Sequence, residues 1–224
     1  MEKLVSGIVK FQESLFQEHK PLFAQLAKGQ NPEVLFITCS DSRIDPNMIT
    51  QTLPGDLFIA RNAGNFVPPH YAHTTTDMDA TIEFALNVLD VRHVVICGHT
   101  DCGAMKGAMN PDSIKHLQHV HNWLSNCAAA TARVKARHEG KQLGKQHLLE
   151  LTEENVIQQL KHLETHPSVA ARQATGDILL HGWVYDIEQG GVFCYEKTQE
   201  CFVPAAEHYA HILAALQGKG QSAA

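Results

Sequence analysis

The sequence predicts an α/β fold: a mostly parallel central β-sheet with an antiparallel edge strand, flanked by helices. Three observations carry this. Short apolar runs at 34–38, 57–60 and 93–97 have the length and bounded character of buried strands. A helical pattern over 79–89 stands between the last two. Strand, helix, strand in that order pairs in parallel through a right-handed crossover. Towards the end of the chain, 179–187 and 192–195 flank Glu188-Gln-Gly-Gly191, a Gly-rich turn that folds one strand back on the other.

The elements follow in order. Leu4, Ile8, Phe11, Leu15 and Phe16 recur at a helical period over 3–19. A second short helix runs through Leu22 to Leu26 and ends near Gly29. Asn31-Pro32 breaks the chain before the strand at 34–38, because a residue preceding proline is pushed out of the helical region. Gly55 marks the turn before 57–60. In the helix at 79–89, Ile82, Ala85, Leu86 and Leu89 fall on one side, and the strand at 93–97 follows directly. A further helix starts near Cys102 and Gly103. Residues 112–137 read as one long helix or a broken one, and 153–163 as another. Pro167 suits the first turn of the next.

Bulk properties narrow the function. No Ser/Gly-rich or Pro-rich linker divides the 224 residues, so 1–224 reads as a single domain, and 44% apolar residues suffice for a core. The net charge is -6 with no basic block, which argues against nucleic acid as a partner. No apolar run approaches the ~20 residues that span a bilayer, so no membrane partner is expected. The N-terminus mixes charge with apolar residues and lacks the apolar core and cleavage site of a signal peptide. The chain reads as cytoplasmic. The six cysteines are widely spread, and in a reducing compartment such cysteines are more often ligands or nucleophiles than disulfide partners. Most of the fifteen histidines, His70, His162 and His166 among them, read as surface or helix-face residues.

The chemistry concentrates in two segments. Cys39-Ser-Asp-Ser-Arg43 and His99-Thr-Asp-Cys102 each follow an apolar strand, at the carboxyl ends where parallel α/β sheets bind ligands. Two soft thiolates and one imidazole, Cys39, Cys102 and His99, make three protein ligands for Zn²⁺. Structural zinc usually has four, so a position is left for water or substrate. Asp41 and Arg43 put an acid and a base beside the first ligand. An open zinc with a carboxylate near its bound water is the layout of a hydrolytic or hydrating catalyst.

With Cys39-Ser-Asp-Ser-Arg43, Arg61-Asn62-Ala63-Gly64-Asn65, Cys97-Gly-His-Thr-Asp-Cys-Gly-Ala104 and His181-Gly-Trp-Val-Tyr185, the chain resembles the β-class carbonic anhydrases, nearest to bacterial and cyanobacterial members. The match runs from the N-terminal helix to about Val203. The joint Cys-x-Asp-x-Arg and His-x-x-Cys is specific, whereas His-x-x-Cys alone is weak. The resemblance implies reversible hydration of CO₂ to bicarbonate and a proton, with Zn²⁺ held by Cys39, His99 and Cys102. It implies that Asp41 accepts a hydrogen bond from the zinc hydroxide and aims it at the CO₂ carbon. It gives Arg43 the task of holding Asp41 by a guanidinium fork. Without that hold, Asp41 becomes a fourth zinc ligand, as in the closed form of some relatives. It assigns substrate contacts to Gln30 and the Gly103 backbone, and an apolar wall to Phe58, Ala63 and Phe84, partly across a subunit boundary. Core packing accounts for Phe58 and Phe84 equally well, and Gln30 also reads as a solvated amide at a helix end. A homodimer or homotetramer is implied, with residues 1–30 an N-terminal helical arm packing on a partner subunit and 204–224 a C-terminal tail.

Two departures bear on behaviour. One subgroup of the family closes its site when bicarbonate enters a pocket of Trp, Arg and Tyr. The matching positions are Phe36, Arg61 and Tyr185, and Phe lacks the indole N–H donor. An open resting state without strong bicarbonate inhibition is therefore expected. The second is Thr74-Thr-Thr-Asp-Met-Asp79, where many relatives have a Gly-rich turn. Two thiolates cancel the charge of Zn²⁺, so the rate is expected to grow with pH above neutrality. Two rivals stand beside this reading: a CS₂ or COS hydrolase on the same fold, and a non-catalytic zinc-binding bicarbonate sensor. The sensor would be expected to have lost Asp41, Arg43 or a ligand. Of the remaining residues, Cys97 reads as buried packing and Cys127, Cys194 and Cys201 as free thiols. Trp123 and Trp183 read as core or interface, and Asp101 as facing solvent or capping the next helix.

Overall fold

Six strands form one sheet in the order β2-β1-β3-β4-β5-β6 in the computed structural model, which describes residues 1–221. β1 (Val34–Cys39), β2 (Leu57–Asn62), β3 (His93–His99) and β4 (Leu179–Tyr185) are parallel. β5 (Val192–Glu196) and β6 (Cys201–Pro204) add on antiparallel. The expected antiparallel edge is thus two strands, not one. β6 is short and ends in proline, and it owes its place to the ladder from Phe193↔Pro204 to Glu196↔Cys201. Nothing in its local sequence marks it.

The helices in chain order are α1 (Glu2–Lys10), α2 (Phe16–Glu18), α3 (Lys20–Leu26), α4 (Pro46–Thr50), α5 (Asp77–Asn87), α6 (Gly103–Met109), α7 (Gln118–Trp123), α8 (Ala128–Arg137), α9 (Leu148–Leu163), α10 (Pro167–Thr175), α11 (Ala205–His208) and α12 (Ala210–Gln221). The long helix expected over 3–19 is interrupted by a π-helical turn at Phe11–Leu15. Residues 112–137 form the broken alternative, with 3₁₀ turns at Pro111–Ile114 and Leu124–Cys127. α9 starts ahead of the expected 153. α5 starts at Asp77 because Thr76 caps it. The Thr76 hydroxyl accepts from the Asp79 N–H, and the Asp79 carboxylate accepts the Thr76 N–H in return. That capping box occupies the Thr-rich stretch that replaces the Gly-rich turn.

Strand alternation builds two apolar faces. Leu35, Ile37, Val94 and Ile96 are fully buried with Ile82 and Leu86 of α5, Val156 and Leu163 of α9 and Val169 of α10. Phe36, Val95 and Cys97 face the other way, against Trp183 and Tyr185. Burial on both faces explains the unbroken apolar runs. A third cluster, including Phe66, Cys102, Met105, Leu124 and Leu151, lies at the carboxyl end of the sheet and backs the candidate site.

The N-terminal helices stand apart from this core. No residue of α1, α2 or α3 is buried, and Leu4, Val5, Ile8, Phe11 and Leu15 are exposed. Phe11, Phe16 and Phe23 pack on one another, at 5.1–6.0 Å between ring centroids. At the other end, Tyr209, between α11 and α12, accepts a 3.0 Å hydrogen bond from Trp183 Nε1. The expected tail at 204–224 is therefore helical from Ala205 to Gln221, docked at Tyr209, and residues 222–224 lie outside the described residues. Among the described residues, no helix is long and apolar enough to cross a membrane.

Candidate metal centre

Parallel pairing of β1 with β3, in register at Thr38↔Cys97, brings Cys39 and His99 to the same end of the sheet. Two residues after His99 the chain turns through Asp101, a non-glycine residue at φ 60, which delivers Cys102 as the N-cap of α6. One ligand atom from each of Cys39, His99 and Cys102 lies within 4.8 Å of the others, and all three residues are buried. The His99 Nδ1–H donates to the Thr100 carbonyl at 2.8 Å, so Nε2 carries the lone pair. That nitrogen is buried and has no hydrogen-bond partner among the described residues. An unsatisfied buried polar atom is costly, and one aimed at two sulfurs fits a soft divalent cation.

The sulfurs tell the same story. The Cys102 thiol hydrogen-bonds to the Cys39 sulfur and pulls the Cys39 pKa well down despite burial, helped by His99 and the Gly64 N–H. The same bond, with burial, pushes the Cys102 thiol up. Metal binding needs both thiols deprotonated, and a cation placed between the two sulfurs would supply the charge that allows it.

Asp41 is clamped beside this group. Arg43 donates to it through Nε at 2.9 Å, Nη2 at 2.8 Å and its backbone N–H at 3.0 Å. The Arg43 hydrogen bond holds the Asp41 carboxyl far below the usual carboxylate range. Asp41 Oδ2 lies 3.9 Å from His99 Nε2. The carboxylate thus adjoins the ligand atoms but is turned to Arg43, which is the open arrangement. The placement as a fourth ligand is not the one present. Arg43 is itself anchored, through Nη1 to Asp101 Oδ2 at 3.1 Å, and Asp101 pairs with Lys106 at 2.5 Å. Asp101 is exposed, as expected, and does not cap α6, but its carboxylate is held by Arg43 and Lys106 and forms the outer post of the clamp. Arg61 donates to the Cys39 carbonyl at 2.9 and 3.0 Å and to the Asp41 carbonyl at 2.8 Å, bracing the loop that carries both.

The loop after β2 closes the back of the site. The Gly64 N–H donates to Cys39 Sγ at 3.4 Å. Gly64 sits at φ +92, and a Cβ there would meet Phe66 at 2.9 Å and Ala104 at 3.0 Å, so only glycine fits. Its carbonyl accepts from Asn155 Nδ2 at 3.2 Å, and Gln159 links Asn155 to the Val67 N–H. These buried amides of α9 were not expected. Their signal was present: two amides four residues apart on the same face as Leu151 and Leu163. Trp123 Nε1 donates to the Ala63 carbonyl at 2.8 Å and so serves this loop rather than substrate.

The structure thus brings together Cys39, His99, Cys102, Asp41 and Arg43, with Ala63 next to Gly64 and Gly103 directly after Cys102. It does not bring Gln30, Phe58 or Phe84 to them. Gln30 precedes β1, and Phe58 pairs with Leu35 near its start, with the Phe84 ring 5.9 Å from it. They lie a strand's length, on the order of 15 Å, from Cys39 of the same chain. Cys97, Cys127 and Cys194 are buried packing, their thiols pushed up by burial to about 12, about 11 and about 11. One histidine expectation fails: His166 is not on the surface but 3% exposed.

Comparison with known proteins points the same way. The carbonic anhydrase family model matches residues 34–192. A carbonic anhydrase of Synechocystis is 43% identical over 205 residues, covering 91% of this chain and 74% of that protein. The structure of the β-carbonic anhydrase CcaA is similar with a TM-score of 0.87 at 42% identity, covering 91% of each chain. A tetrameric β-carbonic anhydrase from the ascomycete Sordaria macrospora is similar with a TM-score of 0.76 at 27% identity, over 90% of this chain and 98% of that one.

Proposed function

Because the chain belongs to the β-class carbonic anhydrases, we propose that it hydrates CO₂ reversibly to bicarbonate and a proton, using zinc held by Cys39, His99 and Cys102. The observation that carries the metal is the buried, partnerless His99 Nε2 aimed at two cysteine sulfurs. When bound, the ion supplies a hydroxide nucleophile near neutral pH by acidifying water. Asp41, kept ionised and fixed by Arg43, presents an acceptor oxygen next to the open ligand position and orients the attacking group there. Arg61 and the Asn155–Gly64 bond brace the Cys39 half of the ligand set, and the Arg43–Asp101 pair ties that half to the His99–Cys102 segment. Gly103 opens α6, where the first N–H groups have no helical acceptor, and so offers a donor to the forming anion.

The remaining substrate contacts require a second chain. Gln30, Phe58 and Phe84 lie at the far end of the sheet from their own Cys39, so they reach a metal centre only across a subunit boundary. The uncovered apolar stripe of α1 supports the same conclusion, since such a face needs a partner. The working enzyme is a homodimer or homotetramer, with residues 1–30 as the arm. Stopped-flow CO₂ hydration by zinc-analysed protein tests the function. Fast hydration that rises with pH above neutrality is expected, because two thiolates cancel the formal charge of the ion. No hydration at neutral or alkaline pH with the Cys39–His99–Cys102 centre loaded would overturn the proposal.

Bicarbonate is expected to inhibit weakly and without sigmoidal character. Phe36 is buried, sits edge-on to Trp183 at 5.9 Å and offers no N–H donor. The Arg61 guanidinium is already committed to the Cys39 and Asp41 carbonyls. A steep, cooperative loss of rate with rising bicarbonate would contradict this.

A further inference from the structure

A second group of ligating side chains lies away from the metal centre, and nothing in the reaction uses it. His166 is the N-cap of α10. Its Nε2 lies 3.0 Å from the Pro68 carbonyl. A carbonyl only accepts, so Nε2 carries the hydrogen and Nδ1 of the neutral ring carries a lone pair. That Nδ1 is 3.4 Å from Asp79 Oδ1. The other carboxylate oxygen, Oδ2, is occupied by the Thr76 N–H at 2.8 Å and the Thr76 hydroxyl at 2.5 Å. Oδ1 also faces His70 Nδ1 at 3.2 Å, and the His70 backbone is tied to Thr165 Oγ1 at 2.8 Å.

The two lone pairs that face each other at this distance repel, and the repulsion is relieved by a hydrogen that His70 Nδ1 donates to Oδ1, by a proton on His166, or by a metal ion among the three. Burial holds the His166 pKa below its usual value, with the neighbouring His70 opposing protonation and Asp79 favouring it. The geometry suits the ion. Zinc–nitrogen and zinc–oxygen bonds of ~2.0–2.1 Å in a tetrahedron set ligand atoms ~3.3–3.4 Å apart, close to the 3.2 and 3.4 Å observed. All three ligand atoms lie within 4.8 Å of one another. A histidine that donates its second N–H to a backbone carbonyl is the usual support of a metal-bound ring. The group opens on a cavity of about 110 Å³ lined by Glu83 and Ser168, with room for a fourth ligand.

We propose that His70, Asp79 and His166 form a second divalent-metal site, suited to Zn²⁺, which pins the loop after β2 to the starts of α5 and α10. Its donors are two nitrogens and one oxygen with no thiolate, so it is chemically distinct from the Cys39–His99–Cys102 centre.

The test is metal content of the full-length protein after equilibration with micromolar Zn²⁺ and gel filtration. Wild type should hold two zinc ions per chain. His70→Ala and His166→Gln should each hold one, with CO₂ hydration unchanged, while Cys102→Ser should keep the other one. His70 is partly exposed, so its variant serves even where the buried His166 change prevents folding. In Co²⁺-loaded protein, His70→Ala should lose the part of the d–d absorption due to the second ion and keep the thiolate charge-transfer band. Wild type that holds a single zinc, removed entirely by Cys102→Ser, would overturn the site. So would a His70→Ala protein that still holds two. Neither result touches the carbonic anhydrase reading, which depends on the thiolate centre.

Discussion

Cys102→Ser protein is expected to lose the metal of the thiolate centre and to hydrate CO₂ at least about 1000-fold more slowly. The basis is the gap between a water pKa of ~15.7 without the ion and ~7 on a catalytic zinc. Cys102 is 1% exposed, and its ligand atom lies within 4.8 Å of those of Cys39 and His99. Serine places a hard, far less acidic oxygen in the same buried spot, and two ligands cannot hold the ion against solvent. The buried His99 Nε2 is then left with no partner, so a lower melting temperature should accompany the lost activity. Metal analysis of the thiolate centre and stopped-flow hydration decide it together. A variant with zinc still at that centre and more than a tenth of wild-type turnover would remove Cys102 from the ligand set.

Arg43→Ala is the sharper experiment, because it should keep the zinc and still lose activity about 10–100-fold, the usual cost of removing a group that orients a metal site. The pair lies near the surface, with Arg43 side-chain exposure of 43% against 17% for Asp41. Exposed ion pairs contribute little to stability, so the melting temperature should barely move. What changes is where Asp41 goes. Freed from both guanidinium bonds, an ionised carboxylate 3.9 Å from His99 Nε2 has the metal as its nearest cation. It then fills the position that water or substrate needs. Arg43→Lys should be impaired as well, since a single ammonium cannot reproduce the two-point fork. Retained zinc with nearly full turnover in Arg43→Ala would show that the pair is an ordinary surface contact.

Much of this was legible in the chain itself. Cys39, His99 and Cys102 announce a metal because soft donors follow strand-like runs, and strand ends are where a parallel sheet gathers its ligands. Asp41 and Arg43 are legible because one short loop carries them together with a ligand. The parallel core strands, and the antiparallel return at Gly190-Gly191, follow from apolar periodicity and turn chemistry. These signals are local: a few neighbouring residues encode backbone direction and burial.

Only the tertiary structure decided the rest. β6 exists because β5 offers it a ladder. Asn155 and Gln159 matter because α9 crosses a loop some ninety residues earlier in the chain, at Gly64 and Val67. His166 resembles any histidine before a helix until packing sets its ring between Pro68 and Asp79. Gln30, Phe58 and Phe84 carry no local mark of whose site they serve until the strand direction places them at the opposite end of the sheet from their own Cys39. In each case the deciding contact joins residues far apart in sequence. Its distance and angle depend on how whole elements pack, and local side-chain chemistry alone does not encode them.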